Sequence, residues 1–161
     1  MANHRIWAPW RLRYVSTTNK QTGCVFCDKP AEGEDRAALI VHRGKRCYVI
    51  LNLYPYTSGH LMVAPYEHVG SLQEIEPEVT AEMMDLAQRA IRRMEGTYGP
   101  EGFNLGINQG RVAGAGVEGH IHLHVVPRWA GDNSFMPVLA DTRVMPQSLE
   151  ETYEALEGGF G

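Results

Sequence analysis

This sequence predicts an α+β fold, and three observations carry the prediction. Several short stretches alternate apolar and polar residues with period two, the mark of half-buried strands. One long stretch after Pro77 repeats its apolar residues at spacings of three and four, the mark of an amphipathic helix. Glycine- and proline-containing turns separate these stretches, and the strands lie both before and after the helix.

With 161 residues, 43% hydrophobic and 21% charged, the chain suits one soluble domain with a proper core. The net charge of −4 provides no basic field to draw nucleic acid or anionic lipid, although a local nucleotide site needs only a few donors. No apolar run approaches the roughly 20 residues of a membrane span. The opening, Met-Ala-Asn-His-Arg, lacks the apolar stretch of a signal peptide. Three cysteines, two of them in a Cys-x-x-Cys pair, argue against a secreted disulfide framework and for a reducing cytoplasm.

Residues 1–22 read as an amino-terminal arm: an aromatic, basic segment (Trp7, Trp10, Arg11, Arg13, Tyr14) followed by a polar linker. It either reaches over a ligand pocket or a neighbouring subunit, or packs on its own domain. Residues 23–161 read as a single domain. Cys24 and Cys27 open it, as a redox couple or as half of a zinc site. The polar stretch 29–35 behind them reads as a loop, which does not favour the redox alternative. Residues 47–51 form a strand, 53–59 a loop and 60–65 a second strand, an antiparallel pair. Tyr54 and Tyr56 in that loop either stack on a base or roof the core.

Pro77 suits a first helical turn, and Val79, Met83, Leu86, Ala90 and Met94 form the buried stripe. Arg89, Arg92 and Arg93 suit the helix dipole as a solvated face, and 96–100 stops the helix. Residues 103–108 form another strand. The loop 109–119 carries four glycines; glycine admits positive φ and lets backbone amides crowd an anion. It is either a flexible hairpin loop or a phosphate cradle. No Gly-Lys-Ser/Thr follows, so it is not a Walker loop.

Residues 119–127, Gly-His-Ile-His-Leu-His-Val-Val-Pro, are the stretch that carries chemistry. Strand periodicity turns Ile121, Leu123 and Val125 into the core and sets His120, His122 and His124 as a column on the other face. Beyond it, 138–145 reads as a short strand and 148–156 as a terminal helix, with Ser148 as cap and Glu151 three residues on. The tail 158–161 reads as frayed.

A neutral imidazole attacks phosphorus without first losing a proton, so a histidine column beside a loop of amides suits a phosphoramidate intermediate. The flanking rings and the glycine loop supply donors to the phosphoryl oxygens and a proton to the leaving group. His122, with a ring on either side, is the natural attacker.

The segment 119–127 resembles the signature of the histidine triad (HIT) superfamily of nucleotide hydrolases and transferases, and the resemblance runs from Cys24 to about Asp132. Leu51-Asn52 and the Gly-His-Leu-Met-Val run from Gly59 resemble the family's ribose-binding strand and hairpin. The Trp-Ala-Pro-Trp-Arg segment and residues 126–132 resemble the bacterial diadenosine tetraphosphate phosphorylase/hydrolase-like branch. The resemblance implies an antiparallel sheet with helices packed on one side, continued across a homodimer or a higher homo-oligomer. It implies His122 as the nucleophile, with His124 and His120 orienting it and contacting phosphate. It implies nucleotide binding by Asn52, Leu53, Asn108, Gln109, Gly114, Ala115, Gly116, His122 and His124. It also implies a structural zinc held by Cys24, Cys27, His68 and His120, with no organic cofactor.

The expected function is cleavage of a nucleotidyl phosphoanhydride, in a dinucleoside polyphosphate such as diadenosine tetraphosphate, by phosphate or water. A purine nucleotide is the expected ligand. The alternatives are a nucleotide-binding sensor or interaction module with little catalysis, and a catalytic zinc or iron centre at the triad.

Overall fold

The computed structural model describes residues 23–132 and 145–161. The expected arm over 1–22 therefore lies outside the described residues, as does nearly all of the strand expected over 138–145. In chain order the elements are α1 (Val25–Glu32), α2 (Asp35–Ala38), β1 (Ile40–Arg43), β2 (Cys47–Leu51), β3 (Leu61–Pro65), α3 (Pro77–Tyr98), β4 (Gly102–Ile107), β5 (Leu123–Arg128) and α4 (Leu149–Leu156). The five strands form one antiparallel sheet in the order β1-β2-β3-β5-β4.

Helix α3 forms as its pattern predicts. Pro77 begins it, Gly99 ends it in the left-handed region, and all five residues of the expected stripe are buried. That stripe packs on one sheet face against Val49, Leu61, Val63, Leu123 and Val125. Helix α4 joins the same face through Tyr153 and Leu156. Its start is the expected capping box: Glu151 N–H donates to the Ser148 hydroxyl, and Ser148 N–H donates to the Glu151 carboxylate.

Helices α3 and α4 thus share one side of the sheet, while α1 lies on the other. Phe26 of α1 packs there with Ile40, Tyr48, Ile50, Met62 and Ala64. Neither α1 nor α2 was legible as a helix in the sequence. α1 contains Pro30 and buries only Phe26, so it displays no stripe. α2 and β1 are four residues each, too short for a period to show.

Two further expectations fail, for one reason. The tail is not frayed: Phe160 is 2% exposed, belongs to the core and stacks on His42 at 5.1 Å between ring centroids. Nor are all three arginines merely a solvated face. Arg89 donates to the Phe160 carbonyl, and Arg93 to the Ala155 carbonyl at the end of α4. Two arginine side chains and one buried aromatic, worth about 2–3 kcal/mol of transfer free energy, hold a glycine-rich segment in place.

Candidate active site and metal cluster

The histidine strand starts later than its alternation suggests, because β5 begins at Leu123 and 119–122 run outside the ladder. The ladder to β3 covers Val63↔Leu123, Met62↔His124 and Leu61↔Val125. Before it, Ile121 N–H donates to the Val69 carbonyl, beyond the end of β3, so the chain bends away. The alternation of faces nevertheless persists. Ile121, Leu123 and Val125 are in the core under α3, and the three histidines face the other side.

On that face the column divides. His122 and His124 meet edge to face with ring centroids 4.9 Å apart. The His120 ring instead turns to His68, Cys24 and Cys27. His120 reaches the centre of the site through its backbone carbonyl, which accepts from His122 Nδ1 at 2.9 Å.

These contacts fix which ring nitrogen carries each proton. A carbonyl oxygen can only accept, so neutral His122 is protonated on Nδ1 and its lone pair sits on Nε2. His122 is 5% exposed, and burial holds it below the usual histidine value against the opposing pull of that carbonyl. A buried, neutral imidazole with an oriented lone pair is what attack on phosphorus requires.

His60, a residue the sequence reading left unassigned, orients His124. Tyr56 N–H donates to His60 Nδ1 at 3.1 Å, which puts the His60 proton on Nε2. That nitrogen lies 2.9 Å from His124 Nδ1 and donates to it, so neutral His124 carries its own proton on Nε2. The Tyr56 ring covers the pair, 4.5 Å from His60 and 6.1 Å from His124. Parity was the available signal: His60 is two residues from Met62, which pairs with His124, so the two histidines share a face.

Cys24, Cys27, His68 and His120 form a cluster whose four ligand atoms all lie within 4.8 Å of one another. The Sγ–Nδ1 separations are 3.3 Å for Cys27–His68, 3.4 Å for Cys24–His120 and 3.5 Å for Cys27–His120. A tetrahedron with metal–ligand bonds of about 2.0–2.3 Å has edges of about 3.5 Å, so this set can hold a metal ion. His120 Nε2 donates to the Pro65 carbonyl at 2.8 Å, which leaves the Nδ1 lone pair aimed at the thiols. Four protein ligands close the coordination shell, the pattern of a structural site. Burial, followed by the adjacent Cys24, pushes the Cys27 thiol up to about 11.

Of the residues expected to contact nucleotide, Asn52 lies against His60. Asn52 is 7% exposed; its side-chain oxygen accepts from Tyr54 N–H at 2.9 Å and its amide nitrogen lies 3.4 Å from both His60 ring nitrogens. Leu53 is well exposed beside it. Asn108 is half-buried, and the Gln109 side chain is engaged by Leu72 N–H and the Gln73 side chain. Gly114 takes a φ of 91°, a conformation that suits glycine, and is followed by buried Ala115 and half-buried Gly116.

Comparison with known proteins agrees with this geometry. The HIT domain family matches residues 33–131. A Mycobacterium tuberculosis protein named AP-4-A phosphorylase is 39% identical over 159 residues, 94% of this chain and 82% of that protein. An Arabidopsis thaliana protein named adenylylsulfatase HINT3 is 32% identical over 125 residues, covering 74% of this chain and 62% of that one. Among solved structures, a zinc-bound histidine triad family protein from Mycobacterium smegmatis superposes with a TM-score of 0.69 at 32% identity, covering 86% of this chain and 93% of that one.

Proposed function

The chain belongs to the HIT domain family, and from that premise we propose that it is an enzyme cleaving dinucleoside polyphosphates by nucleotidyl transfer through His122. The observation that carries the reading is the His122 Nδ1–H bond to the His120 carbonyl, which leaves Nε2 as an aligned nucleophile. Nε2 attacks the α-phosphorus, a P–N bond forms, and the bond to the bridging oxygen breaks. The departing phosphate takes that electron pair, and its developing charge is met by a hydrogen bond donated by His124 Nε2–H. Phosphate or water then attacks the nucleotidyl-histidine from the side the leaving group vacated and returns His122 to its neutral form.

Asn52 and Leu53 flank the sugar and base in this reading. Asn108, Gln109, Gly114, Ala115 and Gly116 lie along the phosphates, their backbone amides and polar groups meeting the negative charge. His120 acts from the metal cluster and through its carbonyl, rather than by placing its own ring on phosphate. We assign zinc to Cys24, Cys27, His68 and His120, supported by the donor set and by the zinc-bound relative. When bound it supplies a fixed tie between α1 and the segment leading into β5.

The unit is 23–161, with 1–22 as its arm, and the setting is cytoplasmic; among the described residues no helix is long and apolar enough to cross a membrane. A homodimer is favoured by β4, which among the described residues is an edge strand with Asn104, Leu105 and Gly106 exposed, a surface suited to pairing with a second copy. The test is product analysis of diadenosine tetraphosphate turnover with and without inorganic phosphate. ADP plus ATP, dependent on phosphate, identifies a phosphorylase; AMP plus ATP identifies a hydrolase; two ADP, which attack at the α-phosphorus cannot give, refutes that step. No turnover, together with no label on acid-quenched protein from an α-labelled nucleotide, refutes the enzymatic reading in favour of a nucleotide sensor.

A further inference from the structure

Phe26 stands between the two cysteines of the metal cluster, in a position where the sequence shows no apolar periodicity. In the structure it is 3% exposed, and its ring lies on the face of His122: centroids 4.5 Å apart, planes 28° from parallel. It also touches the His120 ring at 5.3 Å. Its backbone is anchored as well, since the buried Tyr48 hydroxyl donates to the Phe26 carbonyl at 2.7 Å. A leucine would line the same wall with less volume and no π-face. The aromatic ring offers in addition a negative π-face, aimed at the nucleophile.

We infer that Phe26 is a positioning residue that holds the His122 ring and stabilises the positive charge the ring acquires on nucleotidyl transfer. The inference rests on His122 being the covalent nucleophile. In the resting state the imidazole is neutral, with its proton on Nδ1 and its lone pair on Nε2. When Nε2 takes the phosphorus and the bridging oxygen leaves with the bonding pair, Nδ1 still holds its proton against the His120 carbonyl. The ring then carries substituents on both nitrogens and one positive charge. A cation over an aromatic face within about 6 Å is attracted by the ring quadrupole, and a neutral ring is not. The contact therefore strengthens as the P–N bond forms, which lowers the barrier rather than merely binding substrate. Stacking on one face, His124 meeting the ring edge to face and the Nδ1 bond together leave the imidazole little freedom to turn.

The test replaces Phe26 in the full chain with mono-, tri- and pentafluorinated phenylalanine, nearly isosteric rings of progressively weaker and finally inverted quadrupole, alongside Phe26→Leu. Single-turnover labelling of His122 by α-labelled diadenosine tetraphosphate gives the rate of nucleotidyl transfer, and acid quenching gives the labelled fraction at steady state. The expected result is a rate that falls stepwise with fluorination, by about tenfold at the pentafluoro ring. Phe26→Leu should fall at least as far. KM and metal content should stay within twofold across the fluorinated series. A rate unchanged across that series overturns the inference while leaving the covalent scheme intact. Wild-type protein that turns substrate over without ever carrying label overturns both.

Discussion

His60→Ala is the substitution that tests the site's wiring most directly, because His60 touches no substrate in the reading above. His60 is 1% exposed and accepts from Tyr56 N–H while donating to His124 Nδ1. Its removal takes away the acceptor of the Tyr56 amide bond and the donor to His124 Nδ1, and opens a ring-sized space. Unsatisfied buried groups cost about 1–3 kcal/mol each, and here Tyr56 is exposed and His124 half-buried, so a stability loss of about 2 kcal/mol is expected. That should still leave a folded protein at 25 °C. In catalysis, His124 loses the donor that keeps its proton on Nε2, and losing such an orienting partner costs about 10–100-fold. The assay is kcat and KM for diadenosine tetraphosphate in His60→Ala, His124→Ala and the double variant, with folding checked by circular dichroism. A 10–100-fold drop in kcat with nearly constant KM is expected, and little further loss when His60→Ala is added to His124→Ala. If kcat stays within threefold in the folded single variant, or if the two losses multiply, the relay is wrong.

Four other expectations follow from the same geometry. His122→Ala should lower turnover by on the order of 10³-fold or more while nucleotide affinity, read by calorimetry, changes little. Cys27→Ser should reduce bound metal from about one ion per chain to far less by elemental analysis, and raise protease sensitivity within α1. Gly59→Ala forces a side chain at φ 82°, with its Cβ 3.2 Å from Tyr98 and 3.3 Å from Pro127, and should cost about 1–3 kcal/mol in chemical denaturation. Asp132 pairs through both oxygens with Arg128, whose hydrogen bonds hold its carboxyl below the usual range. A carboxyl lowered by folding stabilises above its unfolded value and loses that contribution as pH falls through the folded one. With Arg128 partly exposed, Asp132→Asn should cost about 0.5–1 kcal/mol at pH 7, a cost that shrinks as the pH falls through the lowered folded-state value.

What the sequence made legible follows the physics of each segment. The α3 stripe and the alternation in 119–127 are periodic signals, and both survive folding, because a side chain's face is set locally. The bend before Leu123 is not local. It depends on Ile121 bonding to Val69 and His120 to Pro65, pairings between segments more than 50 residues apart. α1 hid because one buried residue makes no pattern, and the tail's order depends on arginines from α3. His60 hid for a subtler reason: its face was deducible, but only after the β3–β5 register was known.

The division of the histidine column explains why three rings occur where one nucleophile would do. A ring held only by its own χ angles would sample several rotamers, and attack on phosphorus tolerates little misalignment. Here each ring nitrogen that is not meant to react is spent on a fixed partner: His122 Nδ1 on the His120 carbonyl, His124 Nδ1 on His60, and His120 Nε2 on Pro65. His120 in turn is tied to the thiols, so the backbone carbonyl that orients the nucleophile belongs to a residue of the cluster. Loss of metal should therefore slow nucleotidyl transfer even though no cluster residue touches the phosphate. Reloading zinc into chelated protein should restore the labelling rate of His122. A rate indifferent to metal, with α1 visibly loosened, would mean that the cluster only fastens the chain and that the carbonyl of His120 is held by the sheet alone.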